Sequence, residues 1–382
     1  MVPRALFRIL QCPTCGSRQL YVTAAGVHCA GCANIYPISQ GYLDMMPRNA
    51  QFGYRSKYVT EEQELASELD YRELAPPLLA AGVRHRAMQR MLDLQPGDIV
   101  LDNGCGSAKF AAWNAHRVAL MVGNDPATLF AEAAVERVAL VKADSRVLPF
   151  ADDSLDKAFS IDVLEHFPRE VIDAYLRETA RVLRPGGQMF IFSNTRERSP
   201  IQPVIDLSRH LGQALVRAGL YDFEREARRK SDHLKALETW DEVQDTLARA
   251  GLRPVRVVFW NSLFTTLVEH VVMKLGEVVV GGNGWSRKRQ PVCNEQQTAG
   301  QTGAQTVGDQ SIGAREIRAR QRMRKRLERR GATYYALQAV TLLMELDLWL
   351  FGWMRSGSYF VVVEKGEKIE QAGQAGADFS DE

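Results

Sequence analysis

The stretch VLDNGCGSAKF, residues 100–110, decides the fold of this 382-residue chain. An apolar strand, Ile99–Asp102, runs directly into a loop that contains Gly104 and Gly106. Glycine lets the backbone turn sharply and lets a ligand approach it closely. The dinucleotide-binding fingerprint needs Gly or Ala at the sixth position of G-x-G-x-x-G, where this chain has Lys109. The loop therefore does not favour pyrophosphate.

Strands alternate with helices after this loop. Arg169–Leu183 is predicted to be a helix that ends at Arg-Pro-Gly-Gly, and Thr239–Ala250 begins at a capping box of Thr239 and Glu242. Such alternation indicates a mostly parallel, doubly wound α/β sheet. The predicted strands are Ile99–Asp102, Val118–Gly123, Ala139–Lys142, Ala158–Ile161, Gln188–Ser193, Val255–Trp260 and Tyr359–Val363.

Acidic residues end the first three of these strands. They are Asp102, Asp125 and Asp144. The carboxyl ends of parallel strands meet at one edge of a sheet, where ligands bind in open α/β folds. A carboxylate at Asp125 can accept both hydroxyls of a ribose, and one at Asp144 can accept an adenine amino group.

Four motifs together resemble those of the class I S-adenosylmethionine-dependent methyltransferases: VLDNGCGSAKF, GNDP, KADSRVLPFADDSLDKAFSIDVLEHF and RETARVLRPGGQMFIFSN. The resemblance covers about residues 85–260 and a last strand at 358–365. It is greatest to the ubiquinone/menaquinone-biosynthesis type, methyltransferase type 11. It implies a seven-stranded sheet, S-adenosyl-L-methionine as cofactor and methyl transfer as the reaction. The alternative is a decayed fold that binds nothing.

The resemblance also implies which residues bind the cofactor. Asp102 and the two loop glycines face the methionine moiety, Asp125 faces the ribose, and Asp144 with Ser145 faces the adenine. Ala108 stands where the family usually has a third glycine, a mild departure that is not expected to abolish binding. The implied cofactor-binding residues are Asp102, Gly104, Gly106, Asp125, Asp144, Ser145 and Asp162.

The candidate catalytic residues are Asp162, Glu165 and His166, which follow the fourth strand. If the acceptor is a hydroxyl or an acidic carbon, a base is needed, and His166 suits this role best by its intrinsic pKa. The alternative is a helix-start histidine paired to a neighbour, and His233 is a weaker candidate base. The absence of N-P-P-[YF] after the fourth strand argues against exocyclic-amine methylation of DNA or RNA bases. We expect no metal-ligand set outside the N-terminal cysteines.

Four of the six cysteines form two C-x2-C pairs near the N-terminus: Cys12, Cys15, Cys29 and Cys32. Two such pairs complete a tetrahedral zinc site, and a segment of about 45 residues needs a metal to hold its fold. The alternative is four unrelated buried cysteines. The segment CPTC…HCAGCANIYPISQGYLDMMP resembles zinc ribbons of the tRNA-methyltransferase-activator type. A closed site of four thiolates is structural, so we assign it no chemistry.

An insert separates the last two predicted strands. It holds an apolar stretch at Leu263–Val280, a basic run at Ala314–Arg330 with nine Arg/Lys and two Glu, and an apolar segment at Ala332–Met354. Glu345 and Asp347 disfavour a membrane span, because each costs about 3 kcal/mol near a bilayer centre. A partial polar stripe, Gln338, Thr341 and Glu345, predicts a helix that lies on a membrane surface or covers the pocket.

These observations predict five regions. They are a zinc ribbon at 1–48, a helical linker or cap at 49–95, a methyltransferase core at 96–260 and 357–366, a helical insert at 261–356 and a disordered tail at 367–382. The insert contains a predicted disordered linker at 281–313, which is rich in Gly, Gln, Thr and Ser.

Composition leaves the acceptor open. Apolar residues are 46% and charged residues 25%, which excludes wholesale disorder and a polytopic membrane protein, and the net charge is +2. The leading hypothesis is a small or lipid-like hydrophobic acceptor, with peripheral membrane contact through 314–354. The alternatives are an rRNA or tRNA methyltransferase and a non-catalytic scaffold that binds a partner. The start MVPRALFRILQCPTC lacks a signal-peptide core, so we expect a cytoplasmic protein, peripheral at the inner face of the membrane if the contact forms. The oligomeric state stays open.

Overall fold

The structure is a computed structural model that describes residues 2–47, 74–217, 233–272, 327 and 329–366. The predicted linker at 281–313, the predicted tail at 367–382 and most of the basic run at 314–330 lie outside the described residues.

A nine-stranded sheet organises the chain, in the order β11-β12-β10-β9-β6-β7-β8-β5-β4. The seven predicted strands are all present, and β12 is antiparallel to both of its neighbours. The winding reverses between β6 and β9, so the carboxyl ends of these two strands flank the topological switch point. The seven strands are β6 (Ile99–Asn103), β7 (Leu120–Asp125), β8 (Ala139–Lys142), β9 (Leu155–Ile161), β10 (Leu183–Asn194), β11 (Leu252–Phe259) and β12 (Ser358–Lys365).

The other two strands of this sheet come from the N-terminal segment. β4 (Ile38–Ser39) and β5 (Tyr42–Asp44) form a hairpin, and β5 pairs in parallel with β8. A separate small sheet contains β1 (Leu20–Thr23), β2 (Gly26–Cys29) and β3 (Ile35–Tyr36). The hairpin covers the edge of β8, which would otherwise present unpaired backbone groups. The predicted ribbon is therefore joined to the large sheet by backbone hydrogen bonds.

Helices pack on both faces of the large sheet. The Thr239 cap is confirmed, because its hydroxyl accepts the N–H of Glu242 at 3.3 Å. The helices are α1 (Arg4–Ile9), α2 (Leu79–Leu92), α3 (Lys109–Asn114), α4 (Glu132–Arg137), α5 (Arg169–Val182), α6 (Gln202–Arg217), α7 (Trp240–Arg249), α8 (Leu263–Leu267) and α9 (Ala332–Phe351). Short 3-10 turns lie at Ala115–Arg117 and Leu164–His166, and a π-helical turn at Val268–Val272 follows α8.

The polar stripe of the insert helix α9 faces the protein. Glu345 accepts hydrogen bonds from Arg86 and Arg90 of α2, both at 2.8 Å. The Thr341 hydroxyl accepts the N–H of Leu79, the first residue of α2, at 2.8 Å. The stripe therefore fastens α9 to α2, and both helices lie over the same side of the sheet.

Asp347 joins α9 to the other half of the insert. Its carboxylate is fully buried and accepts the N–H groups of Phe264 and Thr265, at 2.8 and 2.9 Å. Burial raises the pKa of Asp347, although these two N–H donors oppose the effect. The carboxylate thus caps the start of α8. Among the described helices, none combines the length and the apolar character needed to cross a membrane.

We expect Glu345→Gln to lower the free energy of unfolding by about 1–3 kcal/mol, because it weakens two charge-assisted hydrogen bonds at a buried carboxylate. Urea unfolding measures the change. Asp241→Asn is the matched control: its carboxylate also accepts Arg355, but at an exposed site, where an ion pair contributes about 0–1 kcal/mol. Equal losses in the two variants would contradict the packing of α9 on α2.

Candidate cofactor and acceptor site

The glycine loop after β6 is fixed by backbone hydrogen bonds to β7. The N–H groups of Gly104 and Cys105 donate to the carbonyl of Asn124, at 2.8 and 3.0 Å. Gly104 has φ +84°, and a Cβ there would meet the side chain of Val163 at 2.7 Å. Gly106 has φ +52°, and a Cβ there would meet no described atom within 4 Å. The loop therefore leaves open space over Gly106 for a ligand.

Asp125 connects this loop to the end of β7. Its carboxylate accepts the N–H of Gly106 at 2.8 Å and the N–H of Ala127 at 2.9 Å. A carboxylate can accept about four hydrogen bonds, so these two donors do not exhaust it. The geometry fits the predicted contact with a ribose.

Asp102 is the least satisfied carboxylate of the site. It is 3% exposed, and its Oδ2 atom has no hydrogen-bond partner among the described residues. Burial raises the pKa of Asp102 well above its ordinary value, and the nearby carboxylate of Asp125 adds to the shift. A buried acceptor without a partner fits a cationic donor, and the ammonium of a methionine moiety is such a group.

The third acid, Asp144, is paired with an arginine that the sequence analysis missed. The guanidinium of Arg146 donates to both carboxylate oxygens, at 2.9 and 2.6 Å. The next residue, Ser145, turns its hydroxyl towards the interior and donates to Asn103 at 2.7 Å. A contact between Ser145 and an adenine therefore stays a prediction, and the backbone of Ser145 would have to make it.

Ala108 adopts the left-handed conformation, with φ +55° and ψ +28°, at the start of α3. This backbone conformation costs an alanine about 1–2 kcal/mol relative to the right-handed one, and costs glycine almost nothing. The geometry explains the third glycine that the resembled family usually has at this position.

The residues after β9 form the opposite side of the switch point. Asp162 has φ +59°, and its carboxylate pairs with Arg84 of α2. The guanidinium of Arg84 also lies 5.2 Å from the ring centre of Phe192, within the range of a cation–π contact. Arg84 is a second residue that the sequence analysis missed, because no local motif links α2 to the end of β9.

Glu165 and His166 lie in the 3-10 turn that follows. Glu165 is 1% exposed and accepts the Ser193 hydroxyl at 2.7 Å and the Asn194 amide at 3.0 Å. The ring of His166 lies 4.7 Å from the ring of His233, at an interplanar angle of 88°. One ligand atom from each of Glu165, His166 and His233 lies within 4.8 Å of the others, a set that can hold a metal ion. This candidate set was not visible in the sequence, because His233 lies far along the chain from Glu165 and His166.

The four N-terminal cysteines converge in the structure. Their sulfur atoms lie within 4.8 Å of one another, with Cys12 to Cys32 at 3.6 Å and Cys15 to Cys29 at 3.5 Å. A tetrahedral zinc site places its sulfur atoms about 3.8 Å apart. Burial raises the pKa of Cys12, but hydrogen bonds from Tyr36 and the backbone outweigh it and lower that pKa to about 7. The cluster therefore fits a metal ion that prefers thiolates.

Comparison with known proteins agrees with this geometry. A family model described as a methyltransferase domain matches residues 101–191, from the end of β6 to β10. The match contains the glycine loop, Asp125, Asp144 and the Glu165–His166 turn.

Three relatives show how far the similarity extends. Methyltransferase GfsG of Streptomyces halstedii is 39% identical over 30% of this chain and 45% of its own length. The tRNA (carboxymethyluridine(34)-5-O)-methyltransferase ALKBH8 of Mus musculus is 34% identical over 35% of this chain and 22% of its own length. Ubiquinone/menaquinone biosynthesis C-methyltransferase UbiE of Chromobacterium violaceum is 27% identical over 42% of this chain and 72% of its own length. The chain thus spans less than half of the first two relatives.

The raised pKa of Asp102 predicts that S-adenosylmethionine binding releases a proton. Free Asp102 keeps its proton at a pH where an ordinary carboxyl has lost it, whereas a cation bound beside it favours the ionised form. Affinity should therefore rise with pH until the raised pKa is passed. Calorimetry in buffers of different ionisation enthalpy measures the release. Asp102→Asn should abolish the proton release and lower the affinity for S-adenosylmethionine about 10- to 100-fold.

The same titration tests Asp125. We expect Asp125→Ala to weaken binding about 100-fold, and Asp152→Ala, an exposed carboxylate that pairs with Arg181, to leave it unchanged. Unchanged affinity in Asp125→Ala would contradict the site assignment.

Proposed function

We propose that the protein is an S-adenosylmethionine-dependent methyltransferase that acts on a small or lipid-like hydrophobic acceptor. The observation that carries the cofactor assignment is the buried Oδ2 atom of Asp102, which has no hydrogen-bond partner among the described residues and lies near the open glycine loop. A ligand with an ammonium group and a ribose satisfies Asp102 and Asp125 together. The matching methyltransferase domain covers this loop.

Three groups of this chain would hold the cofactor. Asp102 binds the ammonium, Asp125 binds the ribose, and the segment after β8 that contains Asp144 faces the adenine. Bound S-adenosylmethionine supplies a methyl group that its sulfonium already activates. The chain's remaining tasks are to orient the acceptor and exclude water.

The acceptor meets the residues after β9. Asp162 is held by Arg84, and Glu165 is held by Ser193 and Asn194, so both carboxylates are positioned before a ligand arrives. His166 follows Glu165 in the same turn and lies against His233, and its imidazole can take a proton from an acceptor hydroxyl or carbon. The three proposed catalytic residues thus share one side of the switch point.

An apolar acceptor is supported by two observations. Phe192 lies under Arg84 on the acceptor side, and Met344 of α9 shares a buried apolar core with Val83 and Met88 of α2. The UbiE relative is named as a C-methyltransferase of ubiquinone and menaquinone biosynthesis. The second candidate is a tRNA or rRNA methyltransferase, which the ALKBH8 relative and the basic sequence at 314–330 favour. A non-catalytic scaffold is the third.

The outward face of α9 supports contact with a membrane surface. Leu342 is 53% exposed and Trp349 is 79% exposed, seven residues apart on α9, and Trp353, just after the end of the helix, is also 79% exposed. Exposed tryptophans are typical of interfacial segments, and nine basic residues precede this helix in the sequence. An apolar face beside cationic side chains fits an anionic lipid surface.

We expect one zinc ion per chain to depend on the four N-terminal cysteines. Cys29→Ser should remove that equivalent and lower the thermal midpoint, because Cys12 and Cys29 are part of the core shared with the large sheet. Elemental analysis of freshly purified protein measures the zinc. Cys105→Ser, a buried thiol outside the cluster, is the control and should keep it. If Cys29→Ser and Cys105→Ser both retain the zinc ion, the assignment is refuted.

Methyl transfer from labelled cofactor into a cell extract identifies the acceptor class. We expect the label in the lipid fraction, because the Phe192 ring lies on the acceptor side and Arg84 pairs with the Asp162 carboxylate there. Label in RNA would replace this proposal with the second candidate, and no transfer by a protein that binds the cofactor would favour the scaffold. Asp125→Ala protein is the background control.

Flotation with liposomes tests the membrane contact. We expect the protein to float with anionic vesicles at low salt, less at high salt, and not with neutral vesicles. Replacing both Trp349 and Trp353 by alanine should abolish flotation, whereas Tyr21→Ala, an exposed aromatic of the ribbon, should not. If the intact protein stays in the soluble fraction, α9 is a cover for the pocket alone.

A further inference from the structure

A carboxylate and two imidazoles converge outside the groups that the cofactor needs. Glu165 and His166 are buried and His233 is partly exposed, with one ligand atom of each within 4.8 Å of the others. We infer that these three side chains bind one divalent transition-metal ion. Binding of the ion is independent of the proposed function, and only its role in catalysis rests on that function.

The donor set selects the class of metal. Two imidazole nitrogens and one carboxylate oxygen suit zinc and neighbouring first-row ions, whereas Mg²⁺ prefers oxygen ligands alone. Zinc bonds of about 2.0–2.2 Å place the ligand atoms of a tetrahedral site about 3.4 Å apart. Side-chain shifts on the order of 1 Å would bring the three atoms to that separation.

The carboxylate is supported as a metal ligand usually is. Ser193 donates to one oxygen of Glu165 at 2.7 Å, and Asn194 donates to the other at 3.0 Å. Carboxylates that bind metals are themselves hydrogen-bonded, which fixes their orientation. Both donors lie at the carboxyl end of β10, next to β9, so the sheet itself positions Glu165.

The segment that carries His233 is fastened to the same turn. The N–H of Lys235 donates to the carbonyl of Glu165 at 3.0 Å, and the Arg196 side chain donates to the carbonyl of Leu234 at 3.0 Å. These bonds bring His233 to His166, although 66 residues separate them in sequence. The third ligand is therefore placed by the fold.

The position of the set gives the ion a role. Val163 packs against the loop at Gly104, and Glu165 follows two residues later, so the turn that carries Glu165 and His166 adjoins the cofactor loop. Three protein ligands leave a coordination position for water or an acceptor oxygen. A bound ion lowers the pKa of a coordinated hydroxyl, so it would replace His166 as the group that activates the acceptor.

Titration of the full chain with Co²⁺, after removal of bound metal, tests the inference. The zinc ribbon should bind one equivalent of Co²⁺, which gives a thiolate-to-cobalt charge-transfer absorption band. We expect a second equivalent of Co²⁺ to bind at Glu165, His166 and His233. It should give visible absorption bands of Co²⁺ but add no thiolate charge-transfer band. His233→Ala and His166→Ala should each weaken the second equivalent on the order of 100-fold and leave the thiolate band unchanged. Ser193→Ala, which keeps all three ligands, should weaken it about 10- to 100-fold.

The control is His116→Ala, which removes an exposed histidine from a 3-10 turn elsewhere and should change neither equivalent. Thermal unfolding of each variant separates loss of metal from loss of fold. The inference is overturned if the wild type takes up only the thiolate-bound equivalent, which would leave His166 and His233 as a histidine pair. It is also overturned if the second equivalent survives in both histidine variants.

Calorimetry with S-adenosylmethionine keeps this result separate from the proposed function. His233→Ala should bind the cofactor as the wild type does, because His233 lies against His166 in a segment separate from β6 and β7, which carry the cofactor-binding groups. If the wild type takes up the second metal ion but does not bind S-adenosylmethionine, the methyltransferase proposal is wrong and the metal site is supported. If it binds S-adenosylmethionine but takes up no second metal ion, the metal site is wrong and the methyltransferase proposal is supported.

Discussion

A buried network of polar side chains joins the carboxyl ends of β6 and β7, and the site depends on it. Asn103 accepts hydrogen bonds from Asn124 at 3.1 Å and from Ser145 at 2.7 Å, and its own amide donates to Thr179 at 3.0 Å. Buried polar groups of this kind are costly unless they are paired, so this set admits few alternative arrangements. The Oδ1 atom of Asn124 is the exception, because it has no hydrogen-bond partner among the described residues. The same ends hold the glycine loop through the carbonyl of Asn124. The positions of Asp102 and Asp125 follow from that arrangement.

The charges around the switch point differ on its two sides. On the cofactor side, Asp102 and Asp125 are two neighbouring carboxylates, and Asp102 has an oxygen without a described partner. This side therefore attracts a cation. On the acceptor side, Arg84 neutralises Asp162, and hydrogen bonds hold Glu165. A cationic ligand can thus bind at Asp102 and Asp125 while a neutral acceptor binds near Asp162 and Glu165, so the two do not compete for the same carboxylates.

Two accessory segments are attached to the sheet by different interactions. The ribbon continues the sheet through the pairing of β5 with β8, and its cysteines share a core with Leu101, Val122 and Val141. The helix α9 is attached by Glu345 to α2 and by Asp347 to α8, so these polar residues face inwards, whereas Leu342 and Trp349 are exposed. This orientation is the reverse of an ordinary amphipathic surface helix, whose polar face meets water. Because the polar stripe faces inwards, apolar side chains of α9 are exposed on its outer face.

The sequence by itself determined the seven strands, the acids at their ends, the glycine loop and the paired cysteines. Those features are local, because strand periodicity, turn residues and ligand spacing are set within a few positions of the chain. Only the tertiary structure placed His233 beside Glu165 and His166, Arg84 on Asp162 and β5 on β8, and only it turned the polar stripe of α9 inwards. These contacts join residues that are distant in sequence, and they form because buried charges and open sheet edges need partners that no local pattern identifies.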